Sequence, residues 1–293
     1  MSMNRRQVLT AAGAAILGAG TFQRLASGSI NRATKKILFF TKSSGFQHSV
    51  ITRKGDKPAH AERILAEIGA KHGFEVVASK DGSLFEPGKI EQWDAFAFQT
   101  TGDLTKAGTD KTTPMSPDGK QAFLNAIKAG KGFVGMHCAT DTFNTVKDTI
   151  DPYIKMIGGQ FAGHNAQQVA ELEVADQHFP GVKDFGSSFE LMDEWYSQKY
   201  LADDLHVIIA HHTKNMKGPD YQRPDYPETW ARMHGKGRVF YTSMGHREDV
   251  WENPKYQSLL IGALSWATGQ VEADVTPDVS KITPHYKELP KGR

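Results

Sequence analysis

Short apolar runs alternate with helically spaced apolar positions through the first half of the chain beyond residue 35. Ile37, Leu38, Phe39 and Phe40 are continuous, the signature of a strand covered on both faces. Pro58 opens a segment in which Ala61, Ile64, Leu65 and Ile68 recur at helical spacing until Gly73 stops it. Phe74 to Ala78 and Trp93 to Phe98 read as the next two strands. Pro117 then begins a helix that carries Phe123, Leu124 and Ile127 on one face and ends at Gly130, and Phe133 to Met136 makes a fourth strand. This alternation predicts an α/β fold: a Rossmann-like, mainly parallel sheet with right-handed crossovers and helices on both faces.

The pattern changes after residue 160. Strand-like runs at Val169 to Val174, Val207 to Ala210, Thr229 to Met233 and Val239 to Thr242 are separated by turns too short for crossover helices, which predicts an antiparallel or mixed extension of the sheet. A polar loop with three prolines is expected over residues 213–227. Tyr256, Leu259, Leu260, Ala263, Leu264 and Ala267 mark a last helix that Gly269 ends, and residues 271–293 form a Pro- and Lys-rich tail, read as an extended strap or a disordered end. The core domain spans 36–270.

Charge narrows the partners. Lys plus Arg is 35 against 33 for Asp plus Glu, which leaves no cation excess for a run of phosphates and argues against a nucleic-acid partner. A single cysteine rules out an internal disulfide and a Cys-rich zinc module. At the N-terminus, Arg5 and Arg6 precede a stretch from Ala11 to Gly20 that is uncharged and only mildly apolar, an order resembling a twin-arginine export signal over residues 1–30. The stretch is far shorter than a membrane-spanning helix, so a stable anchor is not expected. The implied partner is the twin-arginine machinery, and the implied location is periplasmic or extracellular. Removal of the signal would take Arg5, Arg6 and Arg24 with no acid, leaving 32 basic against 33 acidic side chains.

Twelve histidines are the conspicuous chemistry. Ligands of open parallel sheets bind at the carboxyl ends of strands, so the informative histidines are those that follow strands. His137 follows the fourth strand in Gly135-Met136-His137-Cys138-Ala139, a small-residue frame suited to a sharp turn that projects the third side chain into the crevice. His48 follows the first strand and His246 a late one. Three strand ends each deliver an imidazole. Glu194 stands beside Trp195 and Tyr196, where an apolar wall would raise its pKa. His164 lies in a glycine-bounded stretch, Asp141 either caps a following helix or faces the site, and Tyr196, Trp195 and Trp230 offer faces on which a pyranose could stack. His211 and His212 are adjacent in a strand, so at most one of them reaches the site.

Five ordered runs carry a resemblance: Gly45-Phe46-Gln47-His48, Gly135 to Thr140, Gly158 to His164, Asp193-Glu194-Trp195-Tyr196 and Gly237 to His246, closed by Trp266-Ala267. Together they resemble the ThuA-like (trehalose utilisation) family from Lys36 to Gly269. The resemblance implies a flavodoxin-like fold similar to class I glutamine amidotransferases, and a role in bacterial sugar metabolism beside oxidoreductases that make 3-keto sugars. Those amidotransferases carry cysteine at the third place of their elbow, whereas this chain has His137 there and Cys138 one step later. Cys138 is expected to be a buried apolar residue, which disfavours glutamine hydrolysis.

Two chemistries remain open for the cluster. His48, His137 and His246 could bind a divalent metal such as zinc through neutral imidazoles, or could serve without metal as general acids and bases together with Glu194. The expectation is an exported enzyme acting on a disaccharide or 3-keto sugar, in which the base removes a proton made acidic by the carbonyl; His164, Tyr196, Asp141 and Trp195 bind the sugar. The alternatives are a sugar-binding protein without turnover and a metal-dependent hydrolase.

Overall fold

Alternate residues of the first strand serve two different cores. In the computed structural model, which describes residues 34–109, 111–146 and 149–291, β1 spans Lys35–Phe40. Its Ile37 and Phe39 pack with Ala61, Ile64, Leu65 and Ile68 of α1 (His60–Lys71), as the helical spacing predicts. After β2 (Phe74–Ser79) and β3 (Ala95–Phe98), α2 (Pro117–Ala129) covers the other face, where Leu38 and Phe40 meet Phe123, Leu124 and Ile127. A period of two in a strand and of 3.6 in the helices therefore fixes which side chains meet. Each fully buried Phe, Leu or Ile so placed contributes about 1.5–3 kcal/mol. Ser116 caps α2 by accepting from the amide of Gly119 at 2.9 Å, and Gly130, at φ 129°, lets the chain leave the helix.

The chain continues through β4 (Gly132–Met136), α3 (Pro152–Ile157), β5 (Gln160–Gly163), β6 (Gln168–Val174), β7 (Ser188–Asp193), β8 (Ser197–Lys199), β9 (His206–His211), β10 (Tyr226–His234) and β11 (Gly237–Thr242). Three helices follow, α4 (Glu248–Glu252), α5 (Pro254–Ala267) and α6 (Val279–Ile282). The main sheet has the order β2-β1-β3-β4-β11-β10-β9-β6-β7. Neighbours from β2 to β11 are parallel, and those from β11 to β7 are antiparallel. The fold is thus the expected mixed α/β sheet flanked by helices, with α1 and α5 on one face and α2 and α3 on the other. Among the described residues no helix is long and apolar enough to cross a membrane.

Four local expectations need correction. Trp93 lies outside β3, because the turn Ile90–Gln92 ends on it before the strand starts. The polar stretch 213–227 is no open loop: Asp220, Tyr221 and Arg223 are buried in it, and Tyr226 already belongs to β10. The tail carries α6 and is tied down where Arg223 donates to the carbonyl of Tyr286 at 2.6 Å, so it is a strap with structure of its own. Asp141 caps no helix. It ends the short turn His137–Asp141 and accepts from the Asn144 side chain at 2.6 Å. The export-signal reading of residues 1–30 lies outside the described residues.

Candidate metal and acid-base centre

Parallel pairing brings the three imidazoles together. β1, β4 and β11 run in the same direction, so their carboxyl ends lie along one edge, beside the point where the strand order reverses. His48 leaves β1 on the turn Ser49–Ile51, His137 follows β4 directly, and His246 sits beyond β11. Their ring centroids are 4.9 Å (His48 to His137), 5.1 Å (His48 to His246) and 5.1 Å (His137 to His246) apart. The backbone of His137 is left-handed, at φ 43°, an uncommon conformation for a residue with a side chain and one that needs support. The Tyr241 hydroxyl supplies it, donating to the His137 carbonyl at 2.7 Å.

The fourth member arrives from the antiparallel half. β7 is the last strand of the sheet, yet its exit returns Glu194 to the cluster. Glu194 Oε2 lies 3.1 Å from His246 Nδ1 and 3.5 Å from His137 Nε2, and those two nitrogens are 3.2 Å apart. His48, His137, Glu194 and His246 each offer one ligand atom, all within 4.8 Å of one another.

Hydrogen bonding fixes the protons. Ser243 presents a carbonyl, which can only accept, to His137 Nδ1 at 2.8 Å; Nδ1 therefore donates, and Nε2 turns a lone pair toward Glu194 and His246. Burial lowers the pKa of His48 to about 2, with the neighbouring imidazoles of His137 and His246 acting in the same direction. Burial also lowers that of His137, against the opposing pull of Glu194. Both rings are neutral and can offer lone pairs. Burial works to raise the Glu194 carboxyl, but the two imidazoles beside it, with His246 Nδ1 placed to donate, outweigh it and hold it well below the usual range. The same carboxylate overcomes burial at His246 and raises its pKa.

Positioning residues without a sequence signal hold these groups. Asp193, wholly buried, accepts from the amides of Glu194 (2.9 Å) and Gly245 (2.7 Å); burial lifts its pKa to about 7, and those two hydrogen bonds oppose the rise. Glu228 accepts from the Ser243 hydroxyl at 2.8 Å and the Met244 amide at 3.0 Å, which fixes the segment whose carbonyl orients His137. Gln99, just past β3, donates to the Gly245 carbonyl at 2.9 Å. Only position could have pointed to Gln99, since it too follows a parallel strand.

A cleft of about 300 Å³ opens onto the cluster, lined by Phe46, His48, Asp141, Phe161, His164, Glu194 and Tyr196. Phe46 is 68% exposed at its rim. His164 Nδ1 reaches the second oxygen of Glu194 at 3.3 Å, and the Tyr196 hydroxyl lies 3.4 Å from His48 Nε2. The aromatic face expected from Trp195 is not in the cleft. Trp195 is fully buried, donates to the Gln168 carbonyl at 2.8 Å and packs on His211. Trp230 is likewise core, against Tyr241. Neither His211, between Trp195 and Tyr226, nor His212, beside Asp225, belongs to the cluster.

The family model described as ThuA, trehalose utilisation, matches residues 36–267. The chain belongs to the ThuA family. Its described role, trehalose utilisation, is sugar-related. Among solved structures, a ThuA-like protein from Bacteroides uniformis is 20% identical, with 83% of this chain and 94% of that one covered at a TM-score of 0.60. A ThuA-like protein from Parabacteroides merdae is 17% identical over 88% and 97% at 0.61. A cytoplasmic protein from Salmonella typhimurium is 11% identical over 80% and 98% at 0.52. At these identities the likeness concerns the fold alone. A search of curated proteins finds no match. In this ThuA chain Cys138 is fully buried, and burial pushes its thiol well above the usual range, the opposite of an activated nucleophile.

Proposed function

We propose that this ThuA protein is an exported enzyme acting on a disaccharide or 3-keto sugar by acid-base chemistry at a divalent metal centre held by His48, His137, Glu194 and His246. One observation carries the metal. His137 Nε2, His246 Nδ1 and Glu194 Oε2 form a triangle with sides of 3.2, 3.1 and 3.5 Å. Metal-ligand bonds of about 2.0–2.1 Å in a tetrahedron give edges of about 3.3 Å. Without a cation the triangle sets lone pairs against one another, with too few protons to bridge every side. Three imidazoles and one carboxylate are a borderline donor set that suits zinc and its first-row neighbours. A cation there would supply Lewis acidity to a sugar oxygen.

The chain's own groups do the rest. Phe46, Phe161 and Tyr196 wall the cleft for the apolar face of a pyranose, and His164 and Asp141 offer polar contacts to its hydroxyls. His164, half-exposed, stands where a proton can pass between the buried carboxylate and solvent. Export is supported by the paired Arg5 and Arg6 ahead of an uncharged stretch.

The test is elemental analysis of protein purified on a histidine-free tag, followed by NMR of keto-disaccharides incubated with native, chelated and zinc-restored protein. About one metal per chain, with turnover lost on chelation and regained on restoration, is expected. Saturable sugar binding with no product would make it a binding protein, and a metal-free preparation with full turnover would remove the cation.

A further inference from the structure

A second, larger cavity, of about 610 Å³, lies apart from the histidines and within the size range of small-molecule sites. Its wall combines aliphatic side chains such as Leu201 with Tyr200 and Tyr286, and the C-terminal strap closes one side. Its charge is one-sided. Lys155, Lys199, Arg232 and Lys287 line it, and none of the described residues lining it is acidic. Arg232 pairs with Asp204 and Lys287 with Asp203, both outside the lining. Lys155 and Lys199 have no carboxylate partner among the described residues, Lys199 standing over the Tyr200 ring instead.

Two buried polar groups in the wall are left incomplete. Gln198 is fully buried; its amide nitrogen donates to Thr140 and Tyr241, while Oε1 has no partner. Arg232 is 7% exposed, and its Nε is unpartnered although its terminal nitrogens are engaged. Buried groups in this state mark this wall as incompletely satisfied. Tyr200 adds strain, a bulky residue held at φ 54° and 47% exposed at the same wall.

We propose that this cavity binds an anionic amphipathic small molecule, an apolar and preferably aromatic body with a single carboxylate-like head. The aliphatic and tyrosine wall takes the body, and Lys155 and Lys199 neutralise the head. A neutral sugar brings no charge for the two lysines, which separates this site from the cleft at the histidine cluster.

The experiment uses the whole protein with anilinonaphthalene sulfonate as fluorescent probe, displaced by naphthoate or by naphthylmethanol, which share a body and differ in charge. Saturable binding of one probe per chain is expected, with the acid displacing it at a concentration at least about tenfold lower than the alcohol. The double variant Lys155→Ala/Lys199→Ala should weaken naphthoate at least about tenfold, and Leu201→Trp, which fills the cavity, should abolish probe binding. Near-UV circular dichroism and an unchanged melting temperature show that each variant is folded. The proposal is overturned if acid and alcohol compete equally, if the double variant binds as the parent does, or if no saturable binding occurs. Metal content, read on the same samples, stays constant throughout, so failure here is distinguishable from failure of the metal reading.

Discussion

Two regions of this chain set imidazole beside carboxylate and use it in opposite ways. At the strand ends three imidazoles share one carboxylate, Glu194. Near the C-terminal strap one imidazole, His206, stands between two: Nε2 is 3.1 Å from Asp176 and Nδ1 is 3.2 Å from Asp278, with the Thr276 carbonyl at 3.0 Å. Burial lowers the pKa of His206, but the hydrogen bonds to Asp176 and Thr276 and the two negative charges outweigh it, so the net shift is upward. In the cluster burial and the neighbouring rings win at His48 and His137, which are neutral, and the single carboxylate raises only His246. The ratio of rings to carboxylates decides whether a site stores a proton or presents lone pairs. His206 is a clamp on the strap that holds its proton more tightly than a free imidazole; the cluster has the make-up of the ligand set proposed above.

The largest expected effect breaks the ligand set at its only anion. Glu194→Gln keeps the shape and removes the charge, and should weaken zinc by more than the ~10–100-fold typical of losing an outer partner. Competition against a chelating dye measures it. Parental affinity in that variant would make the cluster a hydrogen-bonded group like the clamp, and the contrast would collapse. Asp193→Asn comes next. It disturbs one of two amide contacts that hold Glu194 and Gly245 without touching the ligand set, and should cost ~10–100-fold in the same assay.

The parallel half of the molecule was legible in sequence because its rules are local. A continuous apolar run, a Pro-to-Gly helix and a small-residue turn sufficed to place His137 at the end of β4, and parallel direction then put His48 and His246 on the same edge. The antiparallel half was not. β7 alternates exposure along its length and lies at the sheet margin, and nothing local says that its exit crosses to the histidines. Glu194 stood out for its aromatic neighbours, but the expected upward shift was reversed, since sequence could not show two imidazoles against its oxygen. Trp195 misled for the same reason: an indole next in sequence to the clustered carboxylate turned inward to donate to a backbone carbonyl. Asp193 and Glu228 were invisible, because a buried carboxylate that accepts from backbone amides has no spacing motif.

A smaller effect tests the clamp. The folded pKa of His206 lies above the unfolded value near 6.5, so its contribution is complete below that value and is lost as pH rises through the folded pKa. His206→Gln should therefore lower stability by about 1.5 kcal/mol at mildly acidic pH, the lower end of the range for hydrogen bonds to charged groups, and the gap to the parent should close on the alkaline side. Urea unfolding at a series of pH values reads it. A gap that widened with pH would mean that His206 is held neutral, as His48 and His137 are.

The smallest effect sharpens the boundary of the ligand set. His164 touches the same carboxylate as His137 and His246, on its other oxygen at 3.3 Å, so distance alone would enrol it. Exposure argues otherwise. Its side chain is 42% accessible, and an ion pair so open to water is worth about 0–1 kcal/mol. His164→Gln should leave metal stoichiometry unchanged and shift zinc affinity by no more than about fivefold, while the KM for sugar rises because a polar wall of the cleft has changed. Loss of the metal in this variant would extend the donor set to the cleft wall, and burial would no longer separate the residues that hold a cation from those that meet the substrate.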